Sequence, residues 1–157
     1  MSAVGRPALA ARVAPLPAAP RGFEAELVLW VPSDLDRVGE AVDVVTRHIE
    51  VHFAHPRAIR FNLRVALGEA LANAILYGNR SDPAKQVAVR ARFGRTIVEM
   101  EVNDDGEGFD PAMVPDPTAP ERIDAPGGRG IFLIRKLVDE VRFNERGNTI
   151  CMTLRRV

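Results

Sequence analysis

Two polar side chains in the middle of the chain lie one helical turn apart and could hold a metal ion. Glu69 and Asn73 are four residues apart in a segment with a helical apolar pattern, so they share one helix face. A carboxylate and a carboxamide oxygen suit Mg²⁺, whose other ligands are commonly water and phosphate oxygens. Asn73 can ligate the ion, and Glu69 can orient or deprotonate a nucleophile. The pair alone also fits the solvated face of an amphipathic helix.

An acidic segment containing two glycines, residues 104–108, follows a strand pattern. Asp104 lies at the strand end and can accept a hydrogen bond from an exocyclic amine, which adenine offers. Gly106 and Gly108 have no Cβ, so a ligand can approach their backbone closely. The segment therefore predicts a loop that can bind a nucleobase. It also fits an acidic turn, because Asp-Gly is a common turn dipeptide.

A third segment, residues 127–130, brings glycines to the start of another helical pattern. Gly128 and Gly130 flank Arg129, and the apolar helical residues follow directly. The free N–H groups and the dipole at a helix start attract phosphate. A plain glycine hinge before a core helix is the alternative. The sequence contains neither a Walker A loop nor the GxGxxG dinucleotide pattern.

The elements that must position these segments can be predicted from apolar periodicity. Ser33 is the expected N-cap of the first helix, and the proline-rich residues 111–126 are expected to form a long functional loop. The order of elements predicts an α+β fold, a two-layer sandwich with three helices on one face of a mixed, mostly antiparallel sheet. The predicted strands are 23–31, 86–93, 96–102, 140–143 and 149–155, and the predicted helices are 34–53, 57–77 and 130–139.

Bulk properties fit one domain and exclude several classes of protein. The 157 residues predict a single domain over 23–157, preceded by a disordered Ala/Pro-rich tail over 1–22. That tail lacks the apolar core of a signal peptide, and no stretch reaches the roughly 20 apolar residues of a membrane span, which predicts a cytoplasmic protein. With a formal net charge of +0, the protein has no overall electrostatic attraction to nucleic acid or to anionic membranes. The single cysteine excludes an intramolecular disulfide framework.

Taken together, the three segments resemble the GHKL, or Bergerat, ATP-binding fold shared by gyrase, the MutL repair proteins and histidine kinases. The resemblance covers residues 23–157 and rests on the combined motifs. The matching residues are Glu69 and Asn73 in the N box, Asp104, Gly106 and Gly108 in the G1 box, Gly128 and Gly130 in the G2 box, and Thr149 on a late strand.

Within that superfamily the chain is most similar to the anti-sigma-factor serine/threonine kinases, the RsbW-like group, through residues 65–74 and 129–141. The resemblance implies that ATP binds with its adenine on Asp104 and that Asn73 holds Mg²⁺. Thr149 would support the adenine site, and Arg129 can touch phosphate or face solvent. Glu69 would act as the base toward a serine or threonine hydroxyl.

The resemblance also implies partners. The substrate would be an anti-sigma-factor antagonist of the STAS type, and release of the phosphorylated antagonist would leave this protein, commonly a homodimer, holding a sigma factor inactive. No direct nucleic-acid or membrane partner is implied. Two other interpretations remain open: a nucleotide-dependent regulatory binding module, or a detached histidine-kinase-like ATPase domain. Glu69 favours the enzyme, because binding alone needs no base.

Overall fold

One antiparallel sheet underlies the fold. The computed structural model describes residues 8–16, 22–53, 57–106 and 128–155. The strands are β1 (Ala11–Pro15), β2 (Ala25–Pro32), β3 (Gln86–Phe93), β4 (Ile97–Asn103), β5 (Glu140–Phe143) and β6 (Thr149–Arg155). They form a six-stranded sheet in the order β1-β2-β3-β4-β6-β5, and each neighbouring pair is antiparallel.

The helices form a second layer on this sheet. They are α1 (Val38–His52), α2 (Arg57–Asn73) and α3 (Gly128–Leu137), and α2 continues through a π-helical turn, Ala74–Gly78. Helix α2 packs against both α1 and α3 and therefore lies between them. This arrangement confirms the predicted α+β sandwich. Within the described residues, no helix is both long and apolar enough to cross a membrane.

The core lies between the two layers and follows the predicted periodicities. Along β3, every second residue is buried, which places one face of the strand against the helices. The predicted apolar stripe of α2 is buried as well, and full burial of each leucine contributes about 1.5–3 kcal/mol. The buried residues of these two faces are Val87, Val89, Ala91 and Phe93 on β3, and Leu63, Leu67, Ala70, Leu71 and Ala74 on the helical segment.

The N-terminal segment differs from the prediction. Disorder was expected over residues 1–22, but Ala11–Pro15 forms an edge strand paired with β2. Leu9 packs against the core, and its N–H donates to Oε1 of Glu40 at 3.3 Å. The hydrogen bond that Arg37 donates to the same carboxylate is the main cause that lowers the pKa of Glu40. The expectation is therefore wrong for residues 8–16, while residues 1–7 and 17–21 lie outside the described residues.

The Ala/Pro-rich segment can form β1 because β1 is an edge strand, where a proline can be accommodated. Leu16 donates its N–H to Glu24 of the neighbouring chain segment at 3.0 Å, so even-numbered residues of this segment point their backbone groups toward β2. Pro15, an odd-numbered residue, therefore has its missing N–H on the open edge, where no ladder bond is lost.

The entry into α1 also differs from the prediction. Ser33 does not cap this segment. Asp34 accepts the N–H of Asp36 at 2.9 Å and caps a short 3-10 turn, Leu35–Arg37, that precedes α1. The hydroxyl of Ser33 instead donates to the carbonyl of Lys85 at 2.7 Å. Ser33 thus connects the end of β2 to the start of β3.

Candidate functional site

The N-terminal turn of α3 lies directly on the polar face of α2. A Cβ at Gly130 would lie 2.8 Å from Nδ2 of Asn73 and 3.0 Å from Oε2 of Glu69. Both polar side chains are half-buried. A side chain at position 130 would therefore require the ends of these two side chains to shift. The structure therefore brings together the first and the third of the predicted segments.

The second segment contacts the end of the same helical segment. Asp104 follows β4, and its carboxylate lies against the Cα of Gly78, where a Cβ would be 2.7 Å from Oδ1 and closer still to Oδ2. A Cβ at Gly106 would lie 2.8 Å from Oδ1 of Asp104 and would overlap the carbonyl oxygen of Gly78. Two glycines therefore create the space that the Asp104 carboxylate occupies.

One continuous helical segment thus connects the two contacts. Asn73 is the last residue of α2, and the π-helical turn leads from it to Gly78. Glu69 and Asn73 face the start of α3, while Gly78 faces Asp104. The carboxylate, the carboxamide, the acidic loop and the helix start therefore all lie along the helical segment between Glu69 and Gly78, about 2.5 helical turns.

The electrostatics of Asp104 leave one oxygen for a ligand. Gly106 donates its N–H to Oδ1 at 2.8 Å, and among the described residues no hydrogen bond reaches Oδ2. Burial is the largest influence on this group and raises its pKa above the ordinary value. The Gly106 hydrogen bond and the charge of Lys85 oppose that rise, while the charge of Asp105 adds to it. Within the described part of the chain, Asp104 is therefore a half-buried carboxylate whose Oδ2 accepts no hydrogen bond.

Thr149 lies apart from this cluster. It is paired with Asn103, whose Nδ2 donates to the Thr149 hydroxyl at 2.8 Å. Paired residues share a face of the sheet, and the next pair, Val102 with Ile150, is buried toward the helices. Thr149 is therefore on the opposite face from the helices.

Of the three remaining predicted residues, two lie in the described part of the chain and one lies outside it. Gly128 is the first residue of α3, and Arg129 is exposed on its first turn. Gly108 and the proline-rich residues 111–126 lie outside the described residues.

The chain matches a known protein family. The sequence model of a family described as "Histidine kinase-like ATPase domain" matches residues 31–154, more than half of the chain. The chain belongs to this family. The matched range runs from the end of β2 to β6, so it includes every predicted site residue and excludes β1.

Several relatives within this ATPase family carry the description "Serine-protein kinase RsbW". The chain is 33% identical to the protein from Bacillus licheniformis over 102 residues, which are 59% of this chain and 62% of that protein. It is 31% identical to the one from Bacillus subtilis (strain 168) over 99 residues, 59% and 62% of the two chains. The match to the Oceanobacillus iheyensis protein is 28% over 97 residues and spans 61% of that protein. The chain thus spans about three fifths of the length of these relatives.

Two asparagines of this ATPase domain were not identified from the sequence as site residues. Asn79 accepts the N–H of Asp105 at 2.7 Å. The backbone carbonyl of Asn148 accepts the N–H of Asp104 at 2.9 Å. The side-chain Nδ2 of Asn148 donates to the backbone carbonyl of Asp104 at 3.2 Å. Both side chains therefore hold the loop that carries Asp104. Asn79 directly follows Gly78 at the end of the helical segment.

Proposed function

We propose that this protein binds ATP with Mg²⁺ and transfers the γ-phosphoryl group to a serine or threonine hydroxyl of a partner protein. The contact of Gly130 with Glu69 and Asn73 supports this proposal most, because it combines a helix N-terminus with a carboxylate and a carboxamide. The similarity to proteins described as serine-protein kinases favours the same reaction.

On this proposal, Asp104 selects the nucleobase. Its Oδ1 is held by the N–H of Gly106, so Oδ2 is the oxygen that would accept the exocyclic amine of adenine. Because Gly78 and Gly106 have no Cβ, there is room for the Asp104 carboxylate at this position. The proposed roles of Gly108, Gly128 and Arg129 toward the phosphates rest on the family resemblance alone. A role of Thr149 toward adenine rests on that resemblance as well, and the position of Thr149 on the sheet face away from the helices does not support it.

The side chains on α2 would carry the chemical step. The amide oxygen of Asn73 lies beside the open Cα of Gly130, where it could be a ligand of a partly hydrated Mg²⁺. The carboxylate of Glu69 lies on the same side. Bound there, Mg²⁺ would neutralise phosphate charge. Glu69 would take the proton of the partner hydroxyl while the hydroxyl oxygen bonds to the γ-phosphorus. The bond from the γ-phosphorus to the bridging oxygen then breaks, and ADP leaves with that electron pair.

The partner proteins follow from the resemblance to the RsbW-like group. We propose that the phosphorylated protein is an anti-sigma-factor antagonist of the STAS type. The protein, as a homodimer in the cytoplasm, would hold a sigma factor inactive once the phosphorylated antagonist is released. A complex of fixed stoichiometry with a candidate sigma factor, measured by light scattering after size exclusion, tests this part separately.

Transfer is tested with the purified protein, γ-labelled ATP, Mg²⁺ and candidate antagonists encoded near its gene. Glu69→Gln should lower the transfer rate by about 10²- to 10⁴-fold, the usual contribution of a general base, while ATP affinity stays within a few-fold of wild type. Glu50→Gln is the matched control, because Glu50 is an exposed α1 residue paired with Arg60 at 2.9 Å. It should keep the wild-type rate.

Three outcomes would contradict the proposal. ATP binding without label on any partner would favour a regulatory binding module. Label on a histidine would favour a detached histidine-kinase-like domain. Equal transfer by wild type and Glu69→Gln would remove Glu69 from the chemical step.

A further inference from the structure

Asn79 is a buried side chain whose polar groups all have partners. It is 1% exposed. Its Nδ2 donates to the Ser33 hydroxyl at 3.0 Å and to the Gln86 carbonyl at 3.1 Å, and its Oδ1 accepts the N–H of Asp105 at 2.7 Å. The Gln86 carbonyl and the Asp105 N–H fix the amide orientation, since one needs a donor and the other an acceptor. Asn79 thereby joins the end of β2, the helix end, the start of β3 and the loop after β4.

The peptide group between Asp104 and Asp105 is held at both of its polar atoms. Its N–H donates to Asn79, and its carbonyl accepts Nδ2 of Asn148 at 3.2 Å. Asn148 is itself oriented, because its Oδ1 accepts Nδ2 of Asn144 at 2.7 Å. Two side-chain amides, from the helix end and from the residue before β6, therefore restrict rotation of this one peptide. We call Asn79 and Asn148 the amide clamp.

We infer that the amide clamp sets the purine selectivity of the site by fixing where the free oxygen of Asp104 lies. This inference rests on the proposed function, because it assumes that Asp104 binds adenine. The peptide held by the clamp leads from Asp104 to Gly106, whose N–H holds Oδ1 of Asp104 at 2.8 Å. Rotation of this peptide would move that N–H and release the carboxylate from its present orientation. Asn79 and Asn148 are positioning residues, since they act through Asp104.

If the amide clamp only stabilised the fold, its removal would lower stability and leave nucleotide selectivity unchanged. Removing Asn79 takes away the partner of the Asp105 N–H and one partner of the Gln86 carbonyl, so lower stability alone decides nothing. The decisive quantity is the ratio of the dissociation constants for inosine triphosphate and ATP. Inosine triphosphate has a carbonyl oxygen in place of the exocyclic amine, so this ratio reports the position of the Asp104 carboxylate.

The experiment measures both affinities by calorimetry for wild type and three variants of the full chain. Wild type should prefer ATP by about tenfold or more, as expected when one buried polar pair is lost. Asn79→Ala and Asn148→Ala should bring the ratio close to one. Ser33→Ala is the matched control: it removes the Ser33 bonds to Asn79 and Lys85 but leaves the bond from Asp105, so the ratio should stay at the wild-type value.

The outcomes separate the clamp from the proposed function. Equal affinity of wild type for both nucleotides would reject the adenine role of Asp104 and with it the proposed site. A wild type that discriminates, with Asn79→Ala at the wild-type ratio, would overturn the clamp alone. If Asn79→Ala does not fold, Asn148→Ala decides, and an unchanged ratio in that variant overturns the inference.

Discussion

Asp104 is the residue at which stability and the proposed function oppose each other. Burial raises the pKa of Asp104 above its ordinary value, so the folded protein holds this proton more tightly than the unfolded chain. The stability associated with the group is fully present below the unfolded pKa and is lost as pH rises through the folded pKa. At neutral pH the charged carboxylate therefore weakens the folded state.

Asp104→Asn should stabilise the protein at neutral pH and abolish ATP selectivity. The amide oxygen can keep the hydrogen bond from the Gly106 N–H, which places an NH₂ group where Oδ2 lay. That group offers no acceptor to adenine. Urea unfolding at pH 4 and pH 7 should show a larger gain in the free energy of unfolding at pH 7. Glu145→Gln, a change at an exposed residue that forms no ion pair among the described residues, is the control for charge alone. A gain that does not depend on pH, or retained ATP preference, would contradict this.

At this scale the sequence predicts candidate residues from local signals. The spacing of Glu69 and Asn73 and the type of Asp104 predict a site, and the structure places Gly130 beside the first two and Gly78 beside Asp104. Asn79 and Asn148 were not identified, because their hydrogen bonds reach residues 26 and 44 positions away in the chain. No local pattern distinguishes such an asparagine from an ordinary turn residue.

At the scale of elements, the packing of the helix end against the loop after β4 decides whether the site forms. Gly78→Ala should displace Asp104, because the new Cβ overlaps its carboxylate. We expect a loss of about 1–3 kcal/mol in the free energy of unfolding and at least a tenfold weaker affinity for ATP. Gly39→Ala on α1 is the matched control, since nothing lies within 4 Å of its Cβ position. It should be neutral or stabilising by at most about 1 kcal/mol.

Some elements of this fold can be predicted from the sequence and others cannot. Strands β5 and β6 have the predicted bounds, because alternation over a half-buried sheet is a strong local signal. Strand β1 was missed, because alanine and proline carry little strand preference and its pairing with β2 is a tertiary contact. The π-helical turn was predicted as ordinary helix. This turn has a hydrogen bond to the residue five positions earlier, from the Asn79 N–H to the Ala74 carbonyl at 2.8 Å. It lies where Gly78 packs against the loop after β4.

At the scale of the whole molecule, the central position of α2 joins contacts from distant parts of the chain. It packs against α1 and α3, and its continuation contacts the loop after β4. A nucleotide bound between Asp104 and the start of α3 would bridge the sheet and the helical layer. ATP at about 100 times its Kd should therefore raise the free energy of unfolding of the whole domain by about 2.7 kcal/mol.

The part of this stabilisation that depends on Mg²⁺ should require Asn73. Asn73→Ala removes the proposed ligand and keeps a good helix former at the last position of α2. The thermal shift caused by ATP should then be the same with Mg²⁺ and with EDTA, whereas wild type and Glu50→Gln should show a larger shift with Mg²⁺. Glu69→Gln should retain the Mg²⁺-dependent part, because its proposed role is proton transfer. A full Mg²⁺-dependent shift in Asn73→Ala would mean that the ion is held elsewhere.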